Sequence, residues 1–335
     1  MPTSRPDQSP WVVVEAPARL HLGFVDLDGG LGRRFGSLGL TLDGMATRLR
    51  LQASSRTTAL GPQAERAAAN LARLREAVHA GGEATLIVDE AIPAHAGLGS
   101  GTQMALAVGA AASEAWGLGL SPREIAHILD RGARSGIGVG AFESGGFLLD
   151  GGRGDSDAPP PLISRIPFPG HWRVVLIFDR AARGLHGASE VAAFRDLPPF
   201  APQQAAHLAR LVLMQILPAL AEADLEPFGR GLSELQRAIG DHFAPAQGGR
   251  FSSRRVAAAL AVLEARGACC VGQSSWGPTG FAIVDTAERA QEHARELRQR
   301  FPDEAELEFR VVAASNRGAR IRIQEPALGM PQGAG

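Results

Sequence analysis

The sequence predicts an α+β protein of two domains, and three observations carry that prediction. The chain has 335 residues, too long for one small core. Its strand and helix patterns mix without a steady βαβ alternation, which argues against a doubly wound sheet. A stretch rich in Gly, Pro and Asp, FLLDGGRGDSDAPPPLIS at 147–164, reads as a linker near the middle. The expected organisation is a disordered N-terminus over 1–10, a first domain over 11–160, a second over 165–325 and a flexible tail over 326–335.

The elements follow in order. WVVV (11–14) opens a strand, and TRLRLQAS (47–54) alternates as another. AERAAANLARLREAVHA (64–80) is helical by composition and stops before Gly81-Gly82. ATLIVDE (84–90) is a strand that leads through AIPAH into the glycine-rich run and an alanine-rich helix. SPREIAHILDRG (121–132) carries a complete start signal: Ser121 as N-cap, Pro122 at the first helical position and Glu124 as capping-box partner, with Gly132 closing it. WRVVLIFD (172–179) is a buried strand. A long helix covers about 203–222, with a bend expected at Pro218, and others lie near 228–241 and 252–267. ACCVGQ and TGFAIVD flank a Gly/Ser/Trp turn as paired strands. A helix over 287–300 and strands near 306–313 and 319–324 finish the chain.

Composition excludes several function classes. Net charge is −1, without the basic excess of a general nucleic-acid binder. The chain contains no lysine, so no lysine serves as Schiff-base former, general base or P-loop cation. Cys269 and Cys270 are adjacent in an apolar run, which reads as buried and inert. MPTSRPDQSP lacks the apolar core of a signal peptide, and no run approaches the ~20 apolar residues of a membrane span, so a cytoplasmic protein is expected.

HAGLGSGTQMALAVGAAASEAW (95–116) is the most informative stretch. It is neither a P-loop, which needs lysine, nor a dinucleotide fingerprint, because Thr102 stands where the third glycine belongs. The physics of an anion site survives. Bare backbone at Gly97, Gly99 and Gly101 lets amides converge, Ser100 and Thr102 add hydroxyls, and a following helix directs its dipole at the same point. The alternative is a tight turn whose glycines permit close packing.

IPAHAGLGSGTQMALAVG resembles the second motif of the GHMP superfamily (galacto-, homoserine, mevalonate and phosphomevalonate kinases), whose loop wraps nucleotide phosphates. APARLHLGFVDLDGG (16–30) resembles its N-terminal motif and GQSSWGPTGFAIV (272–284) its C-terminal one. With RGARSGIGVGAFESGGFLLDGG, these segments are similar to one branch, the β-ribofuranosylaminobenzene (β-ribofuranosylphenol) 5′-phosphate synthase family, over residues 12–325. The resemblance implies a two-domain GHMP kinase-like fold. A ribosomal-protein-like N-terminal α/β domain would carry the phosphate loop, a ferredoxin-like α+β domain would follow, and the ligand would lie between them. It implies a decarboxylating pentosyltransferase that joins 4-hydroxybenzoate or 4-aminobenzoate to 5-phosphoribosyl 1-diphosphate, releasing CO₂ and diphosphate, in tetrahydromethanopterin biosynthesis. It also implies a magnesium requirement and a homodimer. An ATP-dependent GHMP-type kinase and a non-catalytic phosphometabolite binder are the alternatives. RSGIGVGAFESGG offers Glu143 but no aspartate base, and Gly101 replaces the second serine of the kinase loop, which weakens the kinase alternative.

Roles for single residues follow from that resemblance. The diphosphate falls to Gly97, Leu98, Gly99, Ser100, Gly101, Thr102 and Gln103, with Arg134 and Ser135. A Cβ at Gly99, as in Gly99→Val, is expected to block the ligand while sparing the fold. Arg19 and His21, two apart on a strand, suit a phosphate or a carboxylate, or form one solvated face. Glu143 is a catalytic or metal-ligating candidate, and Asp26 and Asp28 are either metal ligands or turn formers. Arg33 and Arg34 bind the 5′-phosphate or are surface charges. His95 touches phosphate or caps the loop, and Arg131 is read as structural. His186 and Glu190 mark a ligand loop or a helix start. Gln273, Ser274, Ser275 and Trp276 are assigned to the aromatic acid, with Trp276 stacking on it.

Overall fold

A computed structural model describes residues 9–79, 81–184 and 187–325. The expected terminal segments, 1–10 and 326–335, lie outside these apart from Ser9 and Pro10.

Two sheets organise the chain. The larger has seven strands: β1 (Trp11–Asp26), β2 (Phe35–Ser54), β3 (Thr58–Leu60), β4 (Glu83–Glu90), β5 (Phe147–Asp150), β6 (Leu162–Ile166) and β11 (Arg320–Gln324). Its main order is β11-β1-β2-β4-β3, with β5 on β2 and β6 on β5. The smaller sheet contains β7 (Arg173–Asp179), β8 (Val271–Gln273), β9 (Gly280–Val284) and β10 (Leu307–Val312), in the order β10-β7-β9-β8. β8 and β9 pair antiparallel, as ACCVGQ and TGFAIVD predict.

Helices α1 (Ala64–Val78), α2 (Ser100–Trp116) and α3 (Pro122–Ile128) pack on the larger sheet through Leu71, Leu74, Leu106 and Ile125 against Val14, Leu49 and Leu86. α4 (Ile137–Glu143) follows, and α5 (Ala188–Asp196) comes after β7. Between the two sheets lie α6 (Pro202–Leu211), α7 (Leu217–Ala221) and α8 (Leu225–Gln247), where Phe228, Leu232 and Leu235 meet Leu20, Leu22 and Leu40 on one side and Leu176 and Phe281 on the other. α9 (Arg254–Ala265) and α10 (Ala287–Arg300) cover the outer face of the smaller sheet.

Local signals account for many of these elements. The Ser121 hydroxyl accepts from the Glu124 amide at 3.3 Å, and the Glu124 carboxylate accepts from the Ser121 amide at 2.8 Å, a closed capping box. α3 nevertheless ends at Ile128 rather than Gly132. Cys270 is buried, and burial pushes its thiol pKa well up, in keeping with an inert residue.

Three expectations change. β1 and β2 are far longer than WVVV and TRLRLQAS, because residues 16–24 of β1 and 35–42 of β2 are buried on both faces almost throughout and show no alternation. FLLD and LISRI, taken as linker, are β5 and β6, so the loop is confined to 151–161. The helix over 203–222 runs on through a π-helical turn, Val212–Ile216, that lies directly before Pro218, the residue at which a bend is expected. Residues 202–221 are also apolar and long enough by composition to cross a membrane, yet Leu208, Leu211, Val212 and Ile216 are buried in the core.

The boundary at 160–165 does not coincide with the sheets. β6 belongs to the larger sheet, and the chain returns there at its end, β11 pairing with β1 from Trp11↔Gln324 to Glu15↔Arg320. On the way back it is stitched along β2. The Asp43 amide donates to the Ala313 carbonyl at 2.9 Å, and the Ser315 amide to the Thr41 carbonyl at 2.9 Å.

Candidate functional site

The glycine run forms the mouth of α2. Gly99, with φ +82°, is the N-cap residue. The first bond of the helix runs from the Gln103 amide to the Gly99 carbonyl at 3.0 Å. The amides of Ser100, Gly101 and Thr102 precede it, at the positive end of the helix dipole. A Cβ at Gly101 would meet nothing within 4 Å, so this turn is open. Gly97, with φ +77°, is bare for a different reason: a Cβ there would be driven into the Ser274 carbonyl oxygen. Both explanations of the glycines therefore hold, at different residues. A Cβ at Gly99 would lie 3.2 Å from the Arg19 Nε atom on left-handed backbone, so Gly99→Val strains the chain as well as blocking a ligand. Leu98 and Gln103 face inward. Leu98 is core, and the buried Gln103 Nε2 donates to the Gly138 carbonyl at 2.8 Å, tying α2 to α4.

The register of β1 on β2 slips between Pro17 and Arg19 and again between His21 and Gly23. Bulges re-aim side chains, and these two bracket Arg19 and His21. Arg19 donates Nη1–H to the Gly97 carbonyl at 2.6 Å, while its buried Nε has no partner among the described residues. Burial lowers its pKa to about 10, which leaves it cationic at neutral pH. His21 is buried, not on a solvated face. Its amide donates to Ser274 Oγ at 2.9 Å, and its carbonyl accepts from the Ser275 amide at 3.0 Å. Ser274 Oγ in turn donates to the Gly97 carbonyl at 2.7 Å. The N-terminal motif, the glycine loop and the C-terminal turn are thus joined through the Ser274 hydroxyl, the Arg19 guanidinium and a backbone bond.

Burial first, then the Arg19 and Arg134 charges, push the His21 pKa down to about 3, so the imidazole is neutral at pH 7. The unfolded chain holds that proton up to its ordinary pKa near 6.5. Stability contributed by neutral His21 is complete above that value and is lost as pH falls towards 3. Burial lowers the pKa of His242 and His293 in the same direction. The urea midpoint is expected to fall between pH 7 and pH 4, and to fall less steeply in His21→Gln. Parallel curves would contradict a buried neutral imidazole.

A cleft of about 390 Å³ opens over the loop. Gly97, Gly99, Ser100, Gly101 and Thr102 form its floor, and Arg19, Arg66 and Arg131 stand around it with His95, Ser275, Trp276 and Glu190. Arg66, which no sequence motif singles out, reaches the cleft from the first turn of α1 and donates to Gln63 Oε1 at 3.0 Å. Arg131, expected to be structural, lines the cleft too, and burial followed by the Arg66 charge lowers its pKa. Like charges gathered at unpaired amides are the electrostatics of an anion site.

Other expected residues are placed differently. Arg134 Nη1 pairs with Glu190 Oε1 at 2.7 Å, beside the cleft. Ser135 is used structurally: its Oγ donates to Asp150 Oδ2 at 3.1 Å. Asp150, which sequence reasoning missed, is a buried carboxylate that also accepts from the Gly136, Ser37 and Gly152 amides, fixing the start of α4 against β2. Burial raises its pKa, and these bonds oppose that rise. Glu143 is not in the cleft. It ends α4, 3.6 Å from Arg123, and burial raises its pKa. Asp26 accepts from the Asp28 and Gly29 amides at 2.8 and 2.9 Å, and so forms a turn. With Arg33 and Arg34 it lines a separate, largely apolar cavity of about 310 Å³.

Gln273 is engaged by Ser252, Gln247 and the Ser275 carbonyl, and Ser274 is fully buried, so neither is available to an aromatic acid. Trp276 presents little more than its edge. Its ring packs on Phe243 at 4.4 Å and Phe194 at 5.5 Å between centroids, and its indole N–H donates to Glu190 Oε1 at 3.0 Å. With Ser275 it links the cleft to a wall containing His21, Phe24 and Phe243. His186 lies outside the described residues.

The described residues build no closed, protein-only cage for magnesium. Among the described residues no three His, Cys, Asp or Glu side chains come together, and Glu190 Oε1 is taken by Arg134 and Trp276.

Comparison with known proteins identifies the family and the fold. Residues 64–146 match the GHMP kinases N terminal domain and 216–303 the GHMP kinases C terminal. The chain is 34% identical to the beta-ribofuranosylphenol 5′-phosphate synthase of Archaeoglobus fulgidus, over 92% of this chain and 99% of that one. It is 32% identical to that of Methanothermobacter thermautotrophicus, over 82% and 89%. Its fold matches homoserine kinase from Cytophaga hutchinsonii with a TM-score of 0.68 at 20% identity, covering 93% and 97% of the two chains. The fold is the GHMP kinase fold expected from the motifs.

Proposed function

The chain belongs to the beta-ribofuranosylphenol 5′-phosphate synthase family of GHMP-fold proteins, and on that premise we propose that it condenses 4-hydroxybenzoate or 4-aminobenzoate with 5-phosphoribosyl 1-diphosphate. As a member of that family it is an enzyme of the pentosyltransferase type. The observation that carries the substrate assignment is the meeting of the open α2 amides with Arg19, Arg66 and Arg131 in one cleft, which suits a diphosphate.

The proposed chemistry balances without a strong base. The C1–O bond of the sugar breaks, and its electron pair leaves on diphosphate, where amides and guanidinium groups neutralise it. The ring carbon that carries the carboxylate bonds to C1. The bond to the carboxylate then breaks, CO₂ departs, and the returning electron pair restores the aromatic ring. No ring proton has to be removed. His21, buried behind the Ser275–Trp276 side of the cleft, is neutral and, with a pKa near 3, a poor base, so the scheme asks no proton transfer of it. We assign the aromatic acid to the Ser275–Trp276 edge of the cleft, where poor hydration would favour loss of the carboxylate. Magnesium is retained as an ion that enters on the diphosphate. A cytoplasmic setting and a role in tetrahydromethanopterin biosynthesis complete the proposal. The phosphotransfer alternative has only the family-level match behind it.

Incubation with phosphoribosyl diphosphate and carboxyl-labelled 4-hydroxybenzoate or 4-aminobenzoate is the test. Labelled CO₂ and diphosphate are expected in equal amounts. Release of neither, with ADP formed from ATP and an alcohol, would replace this reading with the kinase.

A further inference from the structure

We infer that Glu190 supplies the fixed counter-charge for the ribosyl cation that forms as diphosphate leaves, an inference that rests on the reaction proposed above. Among the described residues it is the one carboxylate lining the cleft, against Arg19, Arg66 and Arg131. It lies in the first turn of α5 and is held from two directions. Oε1 accepts from Arg134 Nη1 at 2.7 Å and from the Trp276 indole at 3.0 Å. Those donors are themselves fixed, Arg134 over the Phe194 ring at 5.0 Å and Trp276 against Phe243. A carboxylate so tied has little freedom to turn away from the cleft.

An acid in an anion site opposes binding of the anion. Its charge reaches Arg19, whose pKa it raises against the effect of burial. Such a group helps a reaction only if positive charge develops nearby, because an interaction stronger in the transition state than in the ground state is what accelerates a step. Breaking the C1–O bond creates that charge on C1 and the ring oxygen of the sugar, one bond from the diphosphate. With diphosphate on the Ser100–Thr102 amides, the sugar lies in the cleft that Glu190 lines. A preorganised carboxylate in this partly desolvated place acts without reorganising.

Glu190→Gln is the informative variant, since glutamine keeps an acceptor oxygen for Arg134 and Trp276 and removes only the charge. CO₂ release is expected to fall in kcat by on the order of 100-fold. Binding of inorganic diphosphate, measured by calorimetry, is expected to stay level or tighten. Retention of kcat within about threefold would overturn the inference. So would a fall in kcat matched by equal weakening of diphosphate binding, which would make Glu190 merely a tie between Arg134 and Trp276. Wild-type protein that binds diphosphate yet releases no CO₂ would overturn the reaction itself, and this inference with it. Active wild type beside an unimpaired variant removes this inference alone.

Discussion

An Arg19→Met variant is expected to lose on the order of 1000-fold in kcat/KM for phosphoribosyl diphosphate, about 4 kcal/mol. Methionine fills the volume of the arginine stem and removes the charge. The effect is large because Arg19 does two things at once. It presents a buried cation to the cleft, where water screens it little. It also holds the Gly97 carbonyl at 2.6 Å, and with it the loop that presents the amides. Arg66, half-buried on the first turn of α1, does only the former. Arg66→Met should therefore cost roughly tenfold in the same assay. Steady-state kinetics on both variants, with circular dichroism to check folding, make the comparison. An Arg19→Met loss no greater than that of Arg66→Met would place the diphosphate away from β1.

Gly97→Ala is expected to lower folding stability by about 3 kcal/mol or more and to abolish activity. The methyl group has no room, because it points at the Ser274 carbonyl oxygen, which is backbone and cannot swing aside. The φ of +77° adds strain for any residue with a Cβ. Relief requires the loop to part from the 274–277 turn, which breaks the bonds that Ser274 makes to Gly97 and His21. Gly101→Ala meets no neighbour, so its stability should remain near wild type while diphosphate binding weakens. Urea unfolding of the two alanine variants separates the packing glycine from the ligand-facing one. Equal midpoints would contradict that division.

The site was legible in the sequence wherever the chemistry resides in backbone. Glycines before an alanine-rich helix announce unpaired amides whatever surrounds them, so the α2 loop could be read directly. Side chains were less legible. Arg66 sits in an ordinary helical repeat, and nothing near it in the chain says that α1 begins beside the α2 loop. Asp150 looks like a linker residue in FLLDGG, and its four bonds come from positions 37, 135, 136 and 152. Glu143 failed the other way: it lies in a motif, but α4 carries it towards Arg123 and away from the cleft. Trp276 was placed at the right edge of the site, yet tertiary packing against Phe243 and Phe194 occupies the faces that stacking would need. The same limit applies to the fold. The first half of β2, residues 35–42, has no alternation to read, because the sheet is covered on both sides there.

The return of β11 to the edge beside β1 has a mechanical consequence. The chain passes between the sheets twice, after β6 and after β10, and the second passage is bonded along β2. A single strap would let the halves gape like a jaw, but a second one, bonded along β2 and ending on β1, the strand that bears Arg19, resists it. Substrate must then enter by small side-chain adjustments at the rim of the cleft rather than by a wide swing of one sheet against the other.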